Sequence, residues 1–300
     1  MSNESKFANA IKSGEFIITA EYLPEAVAAD LEIKTAASFF KGVTAVNVSD
    51  NPFGVVMSSL AASVALSKSG IEPVYQIVTR DRNRIALQSD LLGAASLGIK
   101  NVLCISGYHQ TLGVSPESAN VYDLDSIQLI AGIEKMKKGE LLNGTKIKGT
   151  FSMLVGAAAN PYMKPLVLNI IRLVKKVEAG AAFIQTNAVF DIEGFNQWLD
   201  AARNEGITEK TAILAGVLPL DSAKEAEELK NKYTEIVIPD AVIDRLKSAG
   251  NEDAQKKEGL AICSEVIKRI KGTKGVKGIH IHSGGKEKII AGLLSAAGLN

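Results

Sequence analysis

Short, nearly continuous apolar runs alternate along the chain with longer stretches in which apolar residues recur at helical spacing. The first run, FIITA at 16–20, delivers Glu21 and stops at Pro24, a residue that cannot continue a ladder. Runs this uniformly apolar are expected of parallel strands covered by helices on both faces. Seven more follow: VTAVNVS at 43–49, EPVYQIVT at 72–79, NVLCIS at 101–106, KGTFSMLV at 148–155, FIQTNAVF at 183–190, TAILAGVLPL at 211–220 and GIHIHS at 278–283. Helices are expected over 4–13, 26–40, 57–69, from the polar turn Arg80–Arg84 to Leu97, and over 126–138, 166–178 and 192–204. In the last of these helices Trp198 is expected to pack on the barrel. A longer insert after the seventh run holds helices at 222–232, 240–247 and 253–271 around an extended piece at 235–239, and a last helix covers 286–297. The longest early loop is Gly107–Leu124.

Eight strand–helix units with short connections imply an α/β fold, a single-domain (β/α)8 TIM barrel over residues 1–300. A doubly wound open sheet is the alternative. It calls for a glycine-rich phosphate turn after the first strand, and the segment found there is YLPEAVAAD.

Composition narrows the function classes. The chain has 300 residues, 46% hydrophobic and 22% charged, with a formal net charge of +1. That is a globular composition without the field that draws in nucleic acid or an anionic membrane. The polar start MSNESKFANAIKSGE has no signal-peptide core, and no apolar run is long enough to span a bilayer. A cytoplasmic protein is expected. Cys104 and Cys263 are the only cysteines, far apart and without CxxC spacing, so buried thiols are expected rather than a disulfide or a metal pair.

In a barrel, chemistry sits where the strands end at their C-terminal face. Those ends collect Glu21, Ser49, Asp50, Gln76, Thr79, Gly107, Tyr108, Gly156, Asn160, Gln185, Thr186, Asn187, Pro219, His282 and Ser283. Most are neutral hydrogen-bonding groups, a set that suits a flat polar heterocycle better than phosphoryl transfer or a metal cage. An acid at the tip of an apolar strand, if desolvated, keeps a proton available; the plain alternative is a Glu that opens a loop and pairs with a Lys. His280 and His282 share a strand face, but no carboxylate or thiol lies beside them, so hydrogen-bonded histidines are expected and no metal. Arg80–Arg84 reads as a solvated turn with local Asp81 pairing rather than a phosphate grip, Lys175–Lys176 as cations offsetting a helix dipole rather than a cofactor contact, and Gly284–Gly285 as a phosphate cradle or a tight turn.

Several motifs, in this order, resemble the methylenetetrahydrofolate reductase family, particularly its short type from acetogenic and related anaerobic bacteria. They are TAEYLPE around Glu21, VNVSDNP, QIVTRDRNR from Gln76, LCISGYHQ, VYDLDSIQL, GAAANP from Gly156 and KKVEAGAAFIQTNAVFD ending at Asp191. The resemblance runs over essentially the whole chain. It implies a flavoprotein, with FAD or FMN, that reduces methylenetetrahydrofolate to methyltetrahydrofolate, and it makes Glu21 the general acid. It places Ser49, Gln76, Ser106, Gly107, Tyr108, Gly156, Asn160, Asn169, Arg172 and Lys176 at flavin-contact positions, and Gln185, Asn187 and Lys286 at folate positions. Tyr108 stands where the family has an Asp, a change expected to raise the flavin potential by removing a negative charge. Asn187 replaces a Gln, and Lys286 an Arg of some relatives. The electron donor implied is NAD(P)H or an iron–sulfur partner subunit, since two cysteines cannot hold a cluster. An oligomer or hetero-complex is expected. The rival readings are a non-redox folate-binding subunit of a methyl-transfer complex and a pterin-using barrel methyltransferase.

Overall fold

The computed structural model describes residues 5–27, 30–52, 54–233 and 235–299. Eight parallel strands close into a barrel in sequence order. They are β1 (Ile17–Tyr22), β2 (Ala45–Val48), β3 (Pro73–Val78), β4 (Asn101–Ile105), β5 (Leu154–Ala159), β6 (Phe183–Ala188), β7 (Ala212–Val217) and β8 (Val276–Ile281). The seam pairs β1 with β8, Ile17 opposite Gly278 and Thr19 opposite His280. The helices are α1 (Lys6–Ser13), α2 (Asp30–Ser38), α3 (Ser59–Lys68), α4 (Arg84–Ser96), α5 (Ser126–Lys137), α6 (Leu166–Glu178), α7 (Ile192–Asn204), α8 (Ile207–Lys210), α9 (Ala223–Lys232), α10 (Asp240–Ser248), α11 (Glu252–Lys271) and α12 (Ile290–Ala297). This is the expected TIM barrel. Among the described residues no helix is long and apolar enough to cross a membrane.

Alternation along the strands decides what faces inward. Ile17, Ala45, Val74, Leu103, Phe183, Ala212 and Leu214 form the barrel floor together with Phe7 of α1. The Phe7 and Phe183 rings lie 4.6 Å apart between centroids, so α1 plugs the end of the barrel away from the strand tips. The plug is held by its own capping. Ser5 Oγ accepts the Ala8 amide at 2.8 Å, and the Glu72 carboxylate accepts those of Lys6 and Phe7 at 2.8 and 2.9 Å. The outward residues of the strands, among them Val46, Tyr75, Ile77, Val102, Cys104 and Ile184, pack under the helices with Trp198, which is fully buried.

Above the floor the interior turns polar. Asn47 Nδ2 donates to Gln185 Oε1 at 2.7 Å, and Gln185 Nε2 donates to Asn47 Oδ1 at 2.9 Å and to Thr19 Oγ1 at 3.0 Å. Thr19 Oγ1 lies 3.0 Å from His280 Nδ1. A buried network of this kind is stable only when every member is satisfied. Asn47→Leu should therefore destabilise the fold by about 2 kcal/mol through the stranded Gln185 amide. A denaturation midpoint unchanged from wild type would contradict that.

Three expectations need correction. The fifth strand is β5 at Leu154–Ala159, not 148–155. Gly156 consequently lies inside the barrel rather than at a strand tip: a Cβ there would fall 2.2 Å from the Phe183 ring. The helix expected over 26–40 is α2; Ala26 and Val27 form a bend, and residues 28 and 29 lie outside the described residues. The Arg80–Arg84 turn has the expected local pairing of Arg80 with Asp81, but it is solvated only at Asn83 and Arg84. Arg80 is buried and holds Asp81 together with the carbonyls of Asn51 and Tyr108. Arg82 pairs with Asp50 at 2.6 Å and Asp90 at 3.0 Å, while Arg84 alone stays exposed, on Asp123. These arginines tie the loops after β2, β3 and β4 into one rim.

Candidate active site

Glu21 is the fifth residue of β1 and shares the inward face of Ile17 and Thr19. The loop after β8 grips it. Ser283 Oγ donates to its backbone oxygen at 3.0 Å, and the Gly284 amide donates to Oε2 at 3.1 Å. From β2's end, Ser49 Oγ donates to Oε1 at 2.8 Å. A hydroxyl can donate to a carboxylate or accept from a carboxylic acid. Ser49 thus remains a partner in either protonation state, while the Gly284 amide fixes the other oxygen. Glu287 stands close by, accepting the Leu23 amide at 3.0 Å. Burial, reinforced by the Glu21 charge, raises the Glu287 carboxyl above its ordinary range against the pull of that amide.

Two inward amides are left open. Gln76 of β3 is 8% exposed, and its side chain makes no hydrogen bond among the described residues; the same holds for Asn187 of β6. His280 is buried, so its imidazole is held neutral, chiefly by desolvation and then by His282. The two rings pack edge-on at 4.6 Å, and His282 Nε2 lies 3.2 Å from the Thr186 carbonyl.

Beside this mouth, over the tips of β5 and β6, lies a cavity of about 630 Å³. One part of its wall is cationic: Lys164, Arg172 and Lys176 line it and form no ion pair among the described residues. Lys176 Nζ donates to the Ala158 carbonyl at 2.6 Å. Burial, then the neighbouring Arg172 charge, lowers the Lys176 ammonium to about 8. The loop from β5 to α6 is held by its asparagines. Asn169 Nδ2 donates to the carbonyls of Asn160 at 2.7 Å and Met163 at 3.2 Å, and Asn160 Oδ1 accepts the Tyr162 amide at 2.9 Å. Asn187, Tyr108 and Glu235 also line it, Glu235 being the only carboxylate there among the described residues. Tyr108 comes from the loop after β4 and meets the segment between α9 and α10, its ring 5.8 Å from that of Tyr233. Burial, then the adjoining Glu235 carboxylate, raises the Tyr108 phenol.

The expected site residues therefore divide. Tyr108, Asn160, Asn169, Arg172, Lys176 and Asn187 come together around one cavity, which Gln76 does not line. Ser49 serves Glu21, and Gly284 serves Glu21 rather than a phosphate. Ser106 accepts the Ser126 amide at 3.3 Å, and Gly107 turns the chain at φ 80° over Val78 and Arg80. Gln185, expected at the folate, has both ends of its amide engaged in the interior network. Lys286, expected there too, is held by Asp221 at 2.8 Å and Glu225 at 2.6 Å. Glu235 brings a carboxyl group from the insert to the cavity beside Tyr108. Glu235 was missed, as were Lys164 and Glu287. Glu235 lies in an irregular polar stretch with no motif to mark it, and Glu287 differs from a surface helix acid only through its tertiary contacts.

Comparison with known proteins agrees with this architecture. The family model described as methylenetetrahydrofolate reductase matches residues 6–298. A relative from Caenorhabditis elegans named probable methylenetetrahydrofolate reductase (NADPH) is 24% identical over 247 residues, covering 81% of this chain and 34% of the relative. A 5,10-methylenetetrahydrofolate reductase of Pectobacterium carotovorum is 22% identical over 219 residues, covering 72% of this chain and 66% of the relative. The chain thus spans about a third of the length of the first and just under two thirds of the second. A solved structure, an uncharacterised Clostridium thermocellum protein that binds two copies of 5-methyl-5,6,7,8-tetrahydrofolic acid, shares the fold. Its TM-score is 0.62 at 14% identity, covering 98% of this chain and 99% of that one. A match over nearly every residue, on a closed barrel with an acid fixed at its mouth, places this chain in the methylenetetrahydrofolate reductase family.

Proposed function

We propose that the chain is a flavin-dependent reductase that converts 5,10-methylenetetrahydrofolate to 5-methyltetrahydrofolate, with Glu21 as general acid. The observation that supports this most is the cavity wall with three cations that lack carboxylate partners on one part and hydrogen-bonding groups on another. That donor set fits a flavin: Lys164, Arg172 and Lys176 would hold its phosphate, Tyr108, Asn160 and Asn169 complete the surroundings, and Gln76 would offer its amide from the neighbouring barrel mouth. Bound there, reduced flavin supplies the hydride taken up by the methylene carbon.

The protein's own part is proton chemistry and positioning. Glu21 gives its proton to the substrate nitrogen that parts from the methylene carbon, so the five-membered ring opens and that carbon becomes electrophilic. One proton and one hydride then convert the methylene bridge to a methyl group. Ser49 and the Gly284 amide receive the carboxylate left behind and keep it in place. The open amide of Asn187 is offered to the pterin. Cys104 and Cys263 are buried, Cys263 pushed up to about 12 by desolvation, and neither is a cluster ligand. The hydride equivalents come from NAD(P)H or a separate iron–sulfur subunit.

Purified protein supplied with FMN or FAD, a reductant and methylenetetrahydrofolate should form 5-methyltetrahydrofolate, and mass analysis of the retained cofactor distinguishes the two flavins. Absence of the methyl product overturns the reading. The cationic wall carries its own pH dependence. Below about pH 8 the Lys176 ammonium is charged and attracts an anion; above it the free protein loses that charge, and affinity falls. Flavin phosphate should therefore bind more weakly as pH rises past about 8 in wild type, whereas Lys176→Met should bind about tenfold more weakly at neutral pH with a flatter profile. Titration by flavin fluorescence checks both, and an unaltered profile in the variant would remove Lys176 from the site.

A further inference from the structure

The insert between β7 and β8 has no part in closing the barrel, yet it reaches the cavity. Its segment between α9 and α10 meets the loop after β4, where Tyr108 and Tyr233 pack ring to ring and Glu235 adjoins the Tyr108 phenol. Strands β4 and β7 lie three places apart in the eight-stranded ring, so this contact spans the intervening tips of β5 and β6. Among the described residues Glu235 is the only carboxylate of the cavity beneath it, and the Asn187 amide, which makes no side-chain hydrogen bond to them, lines the same cavity. The basic residues around it in the insert are turned elsewhere: Lys224 to Glu228, Lys230 to Asp240, Lys232 to the Tyr233 ring, Arg245 to Glu258 and Glu265, and Lys247 to Glu227. Among the described residues the Tyr108 phenol is the carboxylate's one hydrogen-bond partner, and the cations Lys164, Arg172 and Lys176 line the same cavity.

We propose that Glu235 is the substrate-reading carboxylate of this site, accepting the adjacent N–H donors of an aminopyrimidinone edge such as the one a reduced folate presents. The assignment rests on the reductase reading above and adds a residue to it. A carboxylate offers two acceptor oxygens side by side, which matches a ring N–H next to an exocyclic amine as a two-bond pair. The Asn187 amide, able to donate and accept, suits the neighbouring carbonyl. Tyr108 acts on Glu235 as a positioning residue, its hydroxyl and ring holding the insert over the cavity.

The test is calorimetric titration of the flavin-loaded full chain with 5-methyltetrahydrofolate and with its analogue lacking the 2-amino group. In wild type the analogue should bind about tenfold or more weakly. Glu235→Gln should weaken the natural ligand by a similar factor and erase most of the difference between the two ligands, while flavin content stays at the wild-type level. Glu235→Asp, which keeps the charge on a shorter arm, should fall between them. Full discrimination retained in Glu235→Gln overturns the assignment, because the amine is then read elsewhere. Loss of flavin from that variant overturns it as well, since the carboxylate would then serve the cofactor. If wild type binds neither folate, the reductase reading itself has failed, an outcome distinct from both.

Discussion

Glu21→Gln should lower the rate of methylenetetrahydrofolate reduction by about a hundredfold to ten-thousandfold while reduction of the bound flavin stays within about twofold. The substitution isolates the proton. Glutamine has the same shape, its carbonyl can still accept the Gly284 amide, and its NH₂ can donate to Ser49 Oγ, so the grip on the side chain survives. What disappears is the ability to hand over a proton and carry the charge left behind. Separate rapid-mixing measurements of the two half-reactions check this. An equal loss in both would mean that Glu21 holds the site together rather than acting as its acid.

Gly278→Ala should be the most damaging single methyl among the barrel strands. Gly278 faces Ile17 across the β1–β8 seam, and a Cβ there would fall 2.0 Å from the Ile17 carbonyl oxygen and 2.7 Å from its carbon. Those are backbone atoms with no rotamer to escape into, so β1 and β8 must part. The expected cost is about 3 kcal/mol, measured as a shift in the urea midpoint. Because β1 carries Glu21 four residues further on, folate turnover should fall too. Gly292→Ala in α12 is the control. Nothing lies within 4 Å of its added methyl, and it should stabilise the protein by about 0.5–1 kcal/mol. Equal midpoints for the two variants would show that the seam tolerates the methyl.

The contrast between these glycines also explains what could be read in advance. Strands covered on both faces must be apolar throughout, so seven of the eight runs lie close to their observed places. The exception is β5. Its inward residues are small because Phe183 fills the space that Gly156 leaves, and Leu-Val-Gly-Ala-Ala-Ala carries little strand propensity of its own. Local propensity favoured Phe151 and Met153 just upstream, while the tertiary fit decided the strand. Glu21 was visible because an acid ending an apolar run breaks the pattern. Glu235 was not, since only the folding of the insert across to Tyr108 makes it a cavity residue. The arginines of the 80–84 turn misled for the same reason: Asp50 and the Asn51 and Tyr108 carbonyls come from other loops. Gln185 and Asn187 share one strand face two residues apart, and sequence cannot tell which faces the network below and which the cavity above.

The central claim is that one clamped carboxyl delivers the proton that lets a bound substrate accept a hydride at the mouth of this barrel. The direct measurement is anaerobic mixing of the reduced, flavin-loaded protein with one equivalent of methylenetetrahydrofolate, following flavin absorbance and analysing the folate. Return of the oxidised flavin spectrum with one equivalent of 5-methyltetrahydrofolate is the predicted result. Flavin that stays reduced while the folate is recovered unchanged would contradict it.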